Sequence, residues 1–345
     1  MMKNPVRTLA WLLIPVFLPA LPAAAARAPI PTRSADPYLA ALTINADTGE
    51  VVFEENADEP AYPASLVKLM MLLILQEKIE AGTLRLEDQV RTTAAAARIG
   101  GSQVYLAEGE VFSLEDMLYA LIIQSANDAA AALAIHVAGS PEGFVRLMNQ
   151  RAAELGMADT VFHSVHGLPP GRDQEPDVTT ARDLSRLSAE LARHPEIFRY
   201  TSATYRPFRD GQFEMRSHNR LLGDVEGCDG LKTGYFKAGG YSIAATARRR
   251  GVRFIAVVMG ARQRPVRDAK ARELLAAAFS SVVLPPPTPE TTPTPRAAAA
   301  SSSPTPAAAG GTASSCPAGG KTALIIIPVL LATAVASYLL GRRRG

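Results

Sequence analysis

Ser65 and Lys68 stand three residues apart where a long apolar run begins, so a helix there places both side chains on one face within hydrogen-bond reach. A serine nucleophile whose base is an amine requires this: the amine must be adjacent and partly uncharged. The pair alone says little, because a chain of this length offers on the order of one Ser-x-x-Lys by chance. Two further groups sharpen it. Ser125-Ala126-Asn127 falls between two helical patterns, where a hydroxyl can pass protons and an amide can hold a carbonyl. Ser217-His218-Asn219 fits the same letters, and the first is preferred because it lies between helices. Lys232-Thr233-Gly234, followed by Tyr235 and soon by a strand, offers a cation and a hydroxyl to a carboxylate, with a glycine that admits a ligand close to the backbone.

The elements that must hold these groups lie between about Ala35 and Leu284. Tyr38–Asn45 and Val51–Asn56 are apolar and β-branched, joined by the turn Ala46-Asp47-Thr48-Gly49, which predicts a hairpin. Apolar residues at three- and four-residue steps predict helices over Ser65–Ile79, Leu114–Gln124, Asp128–Val137, Pro141–Leu155 and Thr180–Leu191, with Ser113 a good helix start. Tyr241–Ala247 and Val252–Gly260 read as strands across the turn Arg248-Arg249-Arg250-Gly251, a solvated hairpin tip, and a helix runs from about Arg267 to Phe279. Strands at both ends of a helical middle predict an α/β (α+β) domain: an antiparallel sheet flanked by helices, with a helical subdomain inserted.

The two ends of the chain are different material. Seven of the 26 prolines precede residue 38 and ten follow residue 284, so the average composition describes no part of the molecule. Lys3 and Arg7, an apolar run from about Leu9 to Leu21 and the small residues Ala23–Ala26 form a secretory signal over residues 1–26, which removes the single Trp, Trp11. Residues 27–284 form the folded domain, and the Pro, Thr, Ala, Ser and Gly tract of residues 285–322 is a linker unable to bury a core. Residues 323–340 lack charge and are long enough to span a bilayer, and Arg342-Arg343-Arg344 in the tail of residues 341–345 place that end in the cytoplasm. The expectation is an exported protein anchored in the cytoplasmic membrane by a C-terminal helix, its folded domain on the outer side. A formal net charge of +3 argues against nucleic acid as a partner, and 2 Cys against a disulfide framework or structural zinc. Five scattered His lack metal-ligand spacing, so no metal and no cofactor are expected. Cys228 reads as a small buried residue, and Cys316 lies in the linker.

The three motifs in this order are those of class A β-lactamases and penicillin-binding proteins. The chain resembles the low-molecular-weight penicillin-binding proteins, specifically the serine-type D-alanyl-D-alanine carboxypeptidases. The likeness runs through Tyr62-Pro63-Ala64-Ser65-Leu66-Val67-Lys68, Gly101-Ser102, Leu106-Ala107-Glu108-Gly109-Glu110, Gln124-Ser125-Ala126-Asn127-Asp128-Ala129, Val165-His166-Gly167-Leu168, Asn219-Arg220-Leu221-Leu222 and Asp229-Gly230-Leu231-Lys232-Thr233-Gly234. It implies a β-lactamase/transpeptidase-like fold, a peptidoglycan stem ending in D-Ala-D-Ala as substrate, and β-lactams as covalent inhibitors. It assigns catalysis to Ser65, Lys68 and Ser125, and substrate binding to Asn127, Lys232, Thr233, Gly234, Tyr235 and Arg267. Lys68 is expected to act as base with its pKa lowered by burial and by Lys232. Backbone N–H groups of Ser65 and Tyr235 are expected to form an oxyanion hole, and His166 to be structural.

Three other readings share parts of this pattern. A class A β-lactamase needs a Glu for deacylation, and Thr160–Leu168 contains none. A D,D-endopeptidase uses the same residues in a differently shaped cleft. A tethered penicillin sensor or wall-binding module has no use for both Lys68 and Ser125. The linker and spanning segment also depart from family members that carry a second, β-rich domain and an amphipathic surface helix.

Overall fold

The computed structural model describes residues 30–172 and 174–283, so the signal, linker and spanning segment read from the sequence lie outside the described residues. In chain order the elements are β1 (Ala40–Asn45), β2 (Val51–Glu55), α1 (Val67–Glu80), β3 (Gln89–Arg91), α2 (Ala94–Ala97), β4 (Val111–Ser113), α3 (Leu114–Tyr119), α4 (Asn127–Ala138), α5 (Pro141–Glu154), α6 (Ala181–Ala192), α7 (Phe198–Thr201), β5 (Tyr205–Phe208), β6 (Phe213–Arg216), β7 (Cys228–Phe236), β8 (Gly240–Arg249), β9 (Val252–Ala261) and α8 (Arg264–Ser280). Five strands form one antiparallel sheet in the order β2-β1-β9-β8-β7, which joins the start of the domain to its end. The expected α/β class, with an antiparallel sheet between helices, is what is observed.

Both faces of the sheet are covered, which is why β8 and β9 read as nearly unbroken apolar runs. Ala41, Ile243, Ala245, Phe254, Ala256 and Val258 pack beneath α8 through Leu274, Leu275, Ala278 and Phe279. Leu42, Ile44, Ala244, Ile255, Val257 and Met259 point the other way, into the large core shared with α1 and α6. Helix α1 is buried along Val67–Gln76 and apolar on every side except for Lys68 and the terminal Gln76, as a central helix must be. A cation inside it is therefore a costly placement.

Helix starts follow capping chemistry. Ser113, Ser140 and Thr180 accept from the backbone N–H of Asp116, Gly143 and Asp183, and Pro141 opens α5. The helix expected over Leu114–Gln124 divides: α3 ends at Tyr119 and Ala120–Gln124 form a π-helical turn. Its exit residue, Ser125, is left-handed (φ +60°), and Ala126 N–H closes the turn on Ala120 O at 3.0 Å. Two short antiparallel pairs, β3 with β4 and β5 with β6, were not expected. At the tip of β8–β9 the turn is Arg250-Gly251, both at positive φ, and Arg249 lies over the Phe279 ring at 4.2 Å rather than free in solvent.

Candidate active site

Ser65 sits in a tight 3-10 turn, Ala64–Leu66, at the entry to α1. Two glycines from distant parts of the chain clasp this turn. A Cβ on Gly234 of β7 would lie 2.6 Å from Pro63 O and 3.2 Å from Ser65 N. One on Gly167 (φ +75°) would lie 2.0 Å from Ala64 O. Gly234 lines the cleft, where a ligand would approach, and it also clears space for the serine's own turn. Among the described residues β7 is the edge strand of the sheet, one side of its backbone without a strand partner and able to receive an extended peptide.

Lys68 is fully buried one helical turn on. Its Nζ lies 3.1 Å from Ser65 Oγ and donates to Asn127 Oδ1 (2.7 Å) and to His166 O (2.9 Å). Burial first, then the charge of Lys232, hold its pKa well below the usual lysine range. Asn127 is fixed in turn by donating from Nδ2 to Gly100 O at 2.8 Å, while its own N–H reaches Ser102 O at 2.7 Å. The next residue, Asp128, is buried and accepts from the N–H of Val104 and Leu106, which pins the loop that brings Ser102 to the cleft.

The His166 carbonyl is held by a chain that sequence reasoning did not foresee. Buried Asp177 accepts from His163 N, Ser164 N and Ser164 Oγ at 2.6–2.8 Å, and Ser164 Oγ accepts from Gly167 N at 2.8 Å. The His166 ring serves its own loop: Nδ1 accepts from Leu168 N–H, and burial with the Lys68 charge lowers its pKa to about 4, leaving it neutral.

Ser65, Ser125, Thr233, Gly234, Tyr235 and Arg267 line one cleft of about 460 Å³, with Ser102, Ser217, His218, Arg220, Tyr241 and Arg264. Lys68, Asn127 and Lys232 stand buried behind that lining. Ser125 Oγ is buried without a hydrogen-bond partner, an orphaned hydroxyl in a left-handed residue. Lys232 Nζ donates to Thr233 O at 3.0 Å, and burial together with Arg267 lowers its pKa to about 7. Arg267 is buried against Asp268 (2.5 and 2.8 Å). Ser217-His218-Asn219, set aside on the sequence, also meets the cleft through its first two residues, while Asn219 is buried and donates to Gly230 O at 3.1 Å. Cys228 lies outside the cleft lining, half-buried, its pKa pushed up to about 11 by burial, so it is an inert thiol.

Glu77, Glu190 and His194 are the one group among the described residues whose ligand atoms converge as a metal site would need. Arg151 occupies that space, bonding Glu77 at 2.7 Å and Glu190 at 3.2 Å, so the group is an ion-pair network.

This fold, with these residues at the edge strand, is that of the penicillin-binding proteins. Penicillin-binding protein D2 of Listeria monocytogenes, solved with ampicillin bound, superposes with a TM-score of 0.63 at 32% identity, over 70% of this chain and 96% of that one. The sequence profile of the D-alanyl-D-alanine carboxypeptidase family matches residues 26–263, and the chain belongs to that family. The D-alanyl-D-alanine carboxypeptidases DacF of Bacillus subtilis and DacC of Escherichia coli are 37% and 36% identical to it, over 70% and 67% of this chain. The chain spans about three fifths of the length of these curated relatives, 61% and 58%.

Proposed function

We propose that the protein is a serine D,D-carboxypeptidase that removes the terminal D-Ala from peptidoglycan stem peptides through an acyl-enzyme on Ser65. The observation that supports this best is the set of partners around Lys68 Nζ. A neutral amine has two hydrogens and one lone pair. Asn127 Oδ1 and His166 O are carbonyl oxygens that can only accept, so they take both hydrogens and leave the lone pair facing Ser65 Oγ. The lowered pKa supplies that neutral form, and the geometry aims it.

The steps follow from the placement of each group. The stem peptide adds along the free edge of β7, its terminal carboxylate against Thr233, Lys232 and Arg267. Lys68 takes the Ser65 proton as Oγ attacks the carbonyl between the two D-alanines. The N–H groups of Ser65 and Tyr235 hold the oxyanion. Ser125, its hydroxyl uncommitted, passes the proton to the departing amine, and the C–N bond breaks. Water then takes the amine's place and releases the shortened stem. A β-lactam enters the same sequence and stops at the acyl-enzyme, a reading supported by the ampicillin-bound relative.

We also propose that residues 1–26 export the protein and residues 323–340 tether it to the membrane with the domain outside. No helix among the described residues is long and apolar enough to cross a membrane, and the proposed tether lies outside those residues. The test of the activity is release of free D-Ala from a pentapeptide ending in D-Ala-D-Ala. Release by the wild type and none by Ser65→Ala is expected; release by both would refute the assignment.

A further inference from the structure

Arg33 lies outside every motif of the site, just beyond the residues read as an export signal, in a stretch whose Ala35 bridges Ala261 at the end of β9. It spans two segments that are far apart in sequence. Its backbone N–H donates to Ala238 O at 2.7 Å in the turn between β7 and β8, and its Nη1 donates to Pro60 O at 2.8 Å on the approach to the catalytic turn. The guanidinium lies over the Tyr62 ring at 5.4 Å, and that ring stacks on Phe236, the last residue of β7, with centroids 5.6 Å apart. Arg33 Nε is buried and, among the described residues, has no hydrogen-bond partner. Leaving a buried charged donor unpaired costs stability, so the placement asks for another reason.

The two segments it joins are those that carry the oxyanion donors. Tyr62 is buried shortly before Ser65, and the turn that follows it is closed by Leu66 N–H on Pro63 O at 3.1 Å. Phe236 follows Tyr235 directly on β7. The approach to the turn is held from its other side by Ala61, which exchanges backbone bonds with Thr179 at 2.7 and 2.9 Å. The β7–β8 turn is fitted to Tyr62 and to the chain around Arg33. A Cβ on Gly239 would lie 3.2 Å from both Tyr62 Cβ and Phe236 Cε1, and one on Gly240 (φ +68°) 2.8 Å from Ser34 Cβ. None of Arg33, Tyr62 and Phe236 lines the cleft. Arg33 can therefore reach the reaction only by setting where the Ser65 turn lies against β7.

We propose that Arg33 is a positioning residue for the oxyanion hole: it ties the approach to Ser65 to the end of β7 and so fixes the spacing between the N–H groups of Ser65 and Tyr235. Both donors must converge on one developing oxygen, each at about 2.7–3.1 Å. They sit on different segments, so whatever joins the segments sets their spacing. Gly234 decides how closely the two can approach, and Arg33 with the Tyr62–Phe236 pair keeps them from drifting apart. The benefit grows as charge develops on the carbonyl oxygen, because the ground-state carbonyl asks less of the two donors, so it belongs to the chemical step and not to substrate binding. The proposal rests on the serine carboxypeptidase reading and adds to it a residue remote from the cleft.

The test measures, on the full-length protein, kcat and KM for D-Ala release from a pentapeptide ending in D-Ala-D-Ala, and the affinity of a peptidyl boronic acid whose boron takes the place of the attacked carbonyl carbon. Arg33→Met keeps the length of the side chain and removes both the Nη1 bond and the cation. It is expected to lower kcat by roughly tenfold, part of the hundredfold that a misplacement of about 1 Å costs, with KM within about twofold of wild type. The boronic acid should lose affinity by the same factor, because its tetrahedral adduct puts an oxygen where the oxyanion forms. Arg33→Lys, which keeps a charge over Tyr62, should fall between. Tyr62→Leu should lose kcat in the same way, and the Arg33→Met/Tyr62→Leu pair should lose no more than the worse single variant, where two independent structural losses would multiply. Should Arg33→Met fail to fold, Arg33→Lys and Tyr62→Leu carry the test by the same readouts. A wild-type kcat in these variants, or a loss carried by KM with the boronic acid affinity unchanged, would overturn the inference while D-Ala release by the wild type upholds the reading beneath it. No D-Ala release by the wild type would overturn both.

Discussion

Replacing Gly234 by alanine separates two accounts of why a glycine stands beside the catalytic turn. Its backbone is not in the left-handed region, so the substitution brings no conformational strain and the effect is steric alone. The new Cβ would lie 2.6 Å from Pro63 O, 3.1 Å from Ala64 Cβ and 3.2 Å from Ser65 N. Ordinary contact begins near 3.4 Å, so β7 and the Ala64–Leu66 turn must separate by something under 1 Å. Overpacking of this kind costs about 1–3 kcal/mol, or roughly 2–12 °C in melting temperature for a domain of this size. A misplacement of about 1 Å at a nucleophile costs on the order of a hundredfold in rate. Gly234→Ala is therefore expected to lower both the melting temperature and the second-order rate of acylation by a fluorescent penicillin, the latter by about a hundredfold. Were the glycine there only to admit a ligand, its methyl group would project into open cleft and the melting temperature would stay at the wild-type value. That result, or acylation within threefold of wild type, would refute the account of the clasped turn.

Three further outcomes follow from the same site. Ser125→Ala deletes a buried hydroxyl that has no partner, so the melting temperature is expected to hold or rise while turnover falls by about 10²–10⁴, as removal of a proton carrier does. Lys232, at about 7 in the folded chain and near 10.4 unfolded, binds fewer protons folded than unfolded between those values, so stability rises with pH across that window. The denaturation midpoint of the wild type should increase from pH 7 to 9.5 by more than that of Lys232→Met, and equal increases would exclude the assignment. Peptide kcat/KM should meanwhile rise with pH as Lys68 becomes neutral and fall above about 7 as Lys232 loses its charge. Ser164→Ala leaves Gly167 N–H and Asp177 without their shared partner and loosens the carbonyl that orders Lys68. Its stability should drop by about 1–3 kcal/mol, and kcat should drop more than KM rises; an unchanged kcat would show that the loop does not position Lys68.

Much of the sheet could be read ahead of the structure, because β1, β8 and β9 are buried on both faces and their apolar runs have clear ends. Helices α5 and α6 were legible from apolar spacing, and Ser140 and Thr180 cap them in the structure. The strands of β3–β4 and β5–β6 are three or four residues long and partly exposed, too short to establish a period. The π-helical turn was hidden because Ala120–Ile123 continue the apolar pattern of α3, and only the left-handed Ser125 ends it. At the site, the three motifs pointed to the residues that the fold gathers around one cleft. The parts that hold them in place were not legible. Asp177, Ser164 and the His166 carbonyl act through backbone bonds that leave no pattern in side-chain type. His218, Arg220 and Arg264 come from loops and a helix start, where polar residues are the ordinary finding, and only shared access to the cleft distinguishes them.

The central claim is that Ser65, with Lys68 as its base, becomes acylated. Its most direct test is the intact mass of the protein after exposure to a penicillin, followed by peptide mapping. The account predicts one adduct of the antibiotic's mass per chain, on the peptide containing Ser65, and none on Ser65→Ala. An adduct of equal yield on Ser65→Ala, or one mapping to another residue, would contradict it.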